Sequence, residues 1–168
     1  MLPARLRIYF LPACLFSLAV LIISVYLEQV LELVPCALCF SQRFLLGAYS
    51  LLFLCAQVHA PGEFGSLRYS WSALVCSLAG ALLAARHVWL QGAEDTIHLC
   101  PAPFWQVVPY AWGEATRQLL LGGPDCNSLA WSFLDLTLPE WSLLVFLLLA
   151  ALPLSCLLAY RFRKHASG

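Results

Sequence analysis

Four long runs with almost no charge decide what this chain is able to fold into. Ile8–Leu27 carries no charge, and Cys36–Val58 carries only Arg43. Tyr69–Gln91 carries only Arg86, and Trp141–Tyr160 carries none. Each run reaches the length of about 20 apolar residues that a helix needs to cross about 30 Å of hydrocarbon. The expected fold is therefore all-α: an integral membrane four-helix bundle, one domain over 1–168, with spans near 8–27, 39–58, 69–91 and 141–160. Pro153 is expected to kink the last span. The first run exceeds the apolar core of about 7–15 residues in a signal peptide, and no small-x-small site follows it, so it reads as a retained helix. Composition agrees, with 62% hydrophobic and 11% charged residues, against about 45–50% and about 25% in soluble domains. A soluble enzyme and a disordered tail are excluded. Nine Lys+Arg balance nine Asp+Glu, so no basic excess supports nucleic-acid binding.

The charges orient the bundle. Arg5, Arg7, Arg68, Arg161, Arg163 and Lys164 fall at the N-terminus, in the 59–68 connection and at the C-terminus, three segments that share one side of a four-span chain. Basic residues favour the cytoplasmic side, so both termini are expected there. The outer side receives the loops near 28–38 and 92–140 and most of the acids, Glu28 and Glu32 among them. The long second loop carries Trp105, Tyr110, Trp112 and Trp131, rings suited to a membrane interface. Within it Gln106–Leu121 has the pattern of a short helix lying on the membrane, with Val107, Leu119 and Leu120 turned down.

The eight cysteines divide by position. Cys14, Cys55, Cys76 and Cys156 lie inside spans and read as small packing residues. Cys36, Cys39, Cys100 and Cys126 fall on the outer side, where an oxidising space permits disulfides. Four cysteines allow three pairings; pairing within each loop is the simplest. A Cys100–Cys126 bridge alone could be a loop staple. Cys36-Ala37-Leu38-Cys39 closes too small a ring to stabilise much and has the form of a redox dithiol. Zinc would want a second such pair or a His pair at ligand spacing, and none is present, so no metal site is expected.

The surroundings sharpen the redox reading. With Pro35 at the first helical position, Cys36 and Cys39 lie in the first turn of the second span, where the helix end favours a negatively charged sulfur. Cys36, Cys39 and Arg43 are spaced i, i+3, i+7 and share a face. A charge at the depth of Arg43 is costly and usually functional, although a snorkelling arginine is the plain alternative. His87 and Gln91 stack one turn apart at the outer end of the third span, where they could hydrogen-bond a carbonyl ligand, although ordinary helix-end residues are the plain alternative.

Taken in order, these residues resemble the bacterial disulfide bond formation protein B (DsbB) family. The resemblance covers nearly the whole chain. It includes the four spans, Pro35-Cys36-Ala37-Leu38-Cys39 followed by Arg43, His87 with Gln91, Cys100, Gly123-Pro124-Asp125-Cys126, and the segment Trp131–Trp141 before the last span. Gln42 stands where some members carry an acid. The resemblance implies a membrane thiol oxidase of the bacterial inner membrane, its redox loops facing the periplasm. It would re-oxidise a DsbA-like thioredoxin-fold protein and reduce ubiquinone or menaquinone. It implies that Cys100 is attacked by the partner, that Cys126 exchanges with Cys36, that Cys39 lies nearest the quinone, and that Arg43, His87 and Gln91 bind it. A DsbA-like partner is itself a strong oxidant, which calls for a stronger acceptor such as a quinone. Two rivals differ in what they leave unexplained. A structural tetraspan protein gives no reason for Cys36-x-x-Cys39 or Arg43. A thiol enzyme of the vitamin K epoxide reductase type carries its Cys-x-x-Cys on a late helix, not at the start of span two.

Overall fold

The computed structural model describes residues 2–30, 36–92, 106, 108–122 and 132–166. Glu32, Pro35, Cys100, Trp105, Val107, Cys126 and Trp131 lie outside the described residues. The elements in chain order are α1 (Leu2–Val30), α2 (Ala37–His59), α3 (Glu63–Gly92), α4 (Trp112–Leu121), β1 (Ser132–Phe133), β2 (Leu136–Thr137) and α5 (Leu138–Ala166). Four of the helices contain stretches long and apolar enough to cross a membrane: Phe10–Val30, Ala37–His59, Glu63–Gln91 and Leu138–Phe162. They run beyond the apolar runs of the sequence because their polar flanks are also helix-compatible. Glu63, for example, sits in the first turn of α3, where its charge complements the helix dipole. Helix α5 continues through Pro153.

The bundle is built on a stripe of small residues. Ser66, Ser70, Ala73, Ser77, Ala81 and Ala84 of α3 are all buried, and they follow one another at steps of three or four along a single face. Small side chains allow helices to approach closely in a membrane. Gly80 shows how closely: a Cβ there would lie 2.2 Å from the ring of Phe146 on α5. His87 is the next residue on this stripe, and it is fully buried. The packing that closes α3 against its neighbours therefore also carries a histidine into the seam.

Across the seam, Phe10 of α1 and Tyr49 and Phe53 of α2 form an aromatic cluster with centroid separations of 5.3 and 4.8 Å. The Tyr49 hydroxyl donates to the Leu149 carbonyl of α5 at 2.8 Å, which satisfies its polar end inside the core. Ser17 and Ser50 are hydrogen-bonded between α1 and α2 at 2.8 Å. Large apolar side chains such as Val75, Leu82 and Leu148 face outward, as lipid-facing surfaces do.

The approach to α5 is a short hairpin that the sequence did not announce. Ser132 pairs with Thr137 and Phe133 with Leu136, and the turn residues Leu134 and Asp135 have φ of 55° and 61°, the left-handed pair of a type I′ turn. Thr137 and Glu140 then form one half of a capping box. The Glu140 carboxylate accepts from the Thr137 backbone N–H at 2.7 Å and from its hydroxyl at 3.0 Å. Helix α4 is shorter than the expected Gln106–Leu121, because Pro109 lies within a turn at 108–110 and Ala111 becomes the N-cap. Its Ala115 and Leu119 pack with Ala37 at the start of α2, whereas Leu120 is exposed.

Candidate functional site

The redox pair sits at the mouth of α2. The helix begins at Ala37, two residues later than the sequence suggests, and Cys36 is its N-cap. The reason is chemical: the Cys36 Sγ itself accepts the orphan backbone N–H of Cys39, at 3.4 Å, as a Ser or Asp oxygen would at this position. This cap folds the Cys36 side chain back over the first turn. Its sulfur stands 3.1 Å from the Cys39 Sγ, both being thiols, about 1 Å beyond the length of a disulfide bond. Cys36 is fully buried, in a cluster with Leu38 and with Leu83 and Leu90 of α3. Cys39 is half-buried.

The stripe on α3 brings His87 to the same point, with its Nε2 3.6 Å from the Cys36 Sγ. The donor atoms of Cys36, Cys39 and His87 all lie within 4.8 Å of one another. The two sulfurs, at 3.1 Å, stand closer than the about 3.8 Å between two thiolates on a tetrahedral zinc with bonds of about 2.3 Å.

Beside the pair is a cavity of about 110 Å³ lined by Cys39, Gln42, Arg43 and His87 on one side and by apolar residues including Leu46, Pro139 and Phe146. Its size is on the scale of the about 150 Å³ hole that takes a benzene ring. Cys39, Gln42, Arg43 and Leu46 are one helical stripe at i, i+3, i+4 and i+7, which is why one face of α2 supplies both the sulfur and the charge. Gln91 is half-buried one turn beyond His87 and is not part of the cavity wall.

Arg43 does not snorkel. It forms an ion pair with Glu28 of α1, and its Nη2 donates to the Ser24 carbonyl at 2.9 Å. Glu28, counted in the sequence with the acids of the first outer loop, lies on α1 and lines the cavity. Nothing singled it out as a partner, although a signal exists. Glu28 and Arg43 are nearly equidistant from Cys36 along the chain, so a hairpin turning there sets them at similar depth.

Helix α4 closes over this end. Ser41 donates to the Leu119 carbonyl at 2.8 Å, and Arg86 Nε donates to the Leu121 carbonyl at 3.3 Å. Gly122 then ends the helix with φ of 88°, and a Cβ there would lie 2.4 Å from Leu90, so only glycine fits.

A buried dithiol beside a small, mostly apolar cavity inside a membrane bundle suits electron transfer between thiols and an apolar acceptor. Comparison with known proteins is consistent. The family model described as disulfide bond formation protein DsbB matches residues 6–156. The chain belongs to the DsbB family. It is 70% identical to disulfide bond formation protein B 2 of Pseudomonas putida, covering 99% of both chains. It is 59% identical to a protein of the same name from Pseudomonas entomophila, covering 97% of both. Against disulfide bond formation protein B of Methylococcus capsulatus it is 35% identical, over 88% of this chain and 92% of the relative. As a DsbB family member the chain is a membrane disulfide oxidoreductase. Within that family its described residues supply Cys36, Cys39, Arg43 and His87 at one end of the bundle.

Proposed function

We propose that this DsbB protein re-oxidises a DsbA-like dithiol protein of the periplasm and passes the electrons through Cys100–Cys126 and then Cys36–Cys39 to ubiquinone or menaquinone. The observation that carries the reading is the shared wall: Cys39, Arg43 and His87 line one cavity, with the Cys36 sulfur 3.1 Å behind Cys39. The bundle, 1–168, forms one domain of the inner membrane, with both termini cytoplasmic and the loops near 28–38 and 92–140 periplasmic. The basic residues gathered at the termini and in the 59–68 connection support that orientation.

The residues present fit a quinone head group. At about 110 Å³ the cavity is on the scale of one ring, its walls are apolar at Leu46, Val145 and Phe146, and among the described residues an enclosed amide nitrogen of Gln42 has no hydrogen-bond partner. Bound there, a quinone supplies a sink for two electrons and two protons. Cys39 presents its sulfur to that space. Cys36 stands ready to close the disulfide as the pair loses two electrons. The Arg43 guanidinium and the His87 ring place positive charge and a donor where negative charge develops. Gln91, in this reading, supports the site from beyond the wall. At the soluble end, the partner's thiolate breaks the Cys100–Cys126 bond by attack on Cys100, and its second thiol releases Cys100 as the partner's own disulfide forms. Cys126 then attacks the Cys36–Cys39 disulfide at Cys36. Cys100 displaces Cys36 from that mixed disulfide, leaving Cys36 and Cys39 reduced.

The test uses purified protein, a reduced DsbA-like protein and a soluble ubiquinone analogue. Quinone absorbance and partner thiols are followed together. One quinone consumed per partner disulfide is expected in the wild type, with turnover abolished in Cys39→Ser and Cys100→Ser. Turnover by Cys100→Ser would make the loop pair a staple. A wild type that leaves every quinone untouched would refute the proposal.

A further inference from the structure

Gln42 is a neutral amide in the membrane end of α2, and it is only 7% exposed. It lines the cavity beside Cys39, Arg43 and His87. Among the described residues its Nε2 has no hydrogen-bond partner. An enclosed amide without a partner costs stability, so such groups call for an explanation. Several other polar groups of the wall are engaged within the protein. Ser24 donates to the Leu21 carbonyl and Ser142 to the Pro139 carbonyl, each at 2.8 Å. Arg43 is paired with Glu28 and donates to the Ser24 carbonyl. The Cys36 sulfur contacts both Cys39 and His87. Among the described residues the Gln42 N–H groups are left uncommitted at the cavity, and a ligand with an acceptor oxygen would complete them.

We propose that Gln42 is a quinone-recognition residue, its side-chain amide donating a hydrogen bond to a carbonyl oxygen of the bound head group. The proposal rests on the quinone reading given above. The two para carbonyls are common to ubiquinone and menaquinone, so the contact recognises the class and not one member. It also assigns the cavity an amide donor on α2, where the sequence pointed to Gln91 on α3.

The test compares Gln42 with Gln42→Met, a change that conserves volume and removes the amide. Both are made in a Cys39→Ser background, so that bound quinone is not reduced. The probe is tetramethyl-1,4-benzoquinone, whose only polar atoms are its two carbonyl oxygens. Binding is read by equilibrium dialysis, and the melting temperature is measured without quinone. The expected result is binding weakened about three- to tenfold, with a quinone-free melting temperature unchanged or raised, because an unsatisfied buried amide has been removed. Equal binding by the two proteins would overturn the inference and leave the quinone reading standing. A Gln42→Met protein that melts lower without quinone, or does not fold, would also overturn it, since the amide would then serve the fold. If the Gln42 parent binds no quinone, the quinone reading fails and the inference falls with it.

Discussion

Glu28→Gln removes one charge of the pair that ties α1 to α2 while keeping the size of the side chain. The two side chains are 25% and 24% exposed for Glu28 and Arg43. Breaking a fully buried pair costs about 3–5 kcal/mol because the surviving charge is left uncompensated. Exposed pairs are worth about 0–1 kcal/mol. A pair one-quarter exposed falls between these limits, at about 2 kcal/mol. The Arg43 bond to the Ser24 carbonyl keeps the cost from the upper end. At about 2–4 °C per kcal/mol for a chain of this length, the apparent melting temperature should fall by about 4–8 °C. The assay is thermal unfolding in detergent at one fixed scan rate, since unfolding of such proteins is often irreversible. Arg43→Gln and the double variant complete a cycle. Because each single change strands a charge and the double strands none, the double should be less destabilised than the sum by about 1–2 kcal/mol. Strict additivity, with a coupling below about 0.5 kcal/mol, would refute the ion-pair account.

Three further outcomes follow from the packing. Tyr49→Phe deletes the hydroxyl bonded to the Leu149 carbonyl in the core and should lower stability by about 1 kcal/mol, read as a fall of a few degrees in the same melting assay. Gly80→Ala drives a methyl group into the Phe146 ring and should cost about 1–3 kcal/mol; the added Phe146→Leu change should recover part of that loss. Ser41→Ala frees α4 from α2 at Leu119, so amide exchange should quicken over 112–121 while the melting temperature moves by less than about 2 °C.

Much of the bundle was legible because lipid imposes a simple rule. A run such as Tyr69–Gln91 has Arg86 as its single charge, and only a helix satisfies its backbone in hydrocarbon. The dithiol and Arg43 were legible for a similar reason, since i, i+3, i+7 spacing on one helix fixes a shared face before any tertiary contact is known. What depends on two helices at once was harder to see. Cys36 as an N-cap required knowing where its sulfur turns. Glu28 as the partner of Arg43 required the hand of the hairpin between α1 and α2. The Leu134–Asp135 turn lacks the glycine or asparagine that usually marks a type I′ hairpin, so nothing local announced it. Gln42 stood beside a conspicuous arginine, and its importance lies in a bond it does not make.

The proposed electron transfer runs directly from Cys36 and Cys39 to a quinone. It is tested most directly with the loop cysteines removed, as the double variant Cys100→Ser and Cys126→Ser, fully reduced and mixed without oxygen with a soluble ubiquinone analogue. Quinone absorbance is followed, and free thiols are trapped by alkylation and located by mass spectrometry. One quinone is expected to be reduced for each Cys36–Cys39 disulfide formed, with no partner protein present. Quinone left unreduced, or reduced while Cys36 and Cys39 both remain open to alkylation, would contradict it.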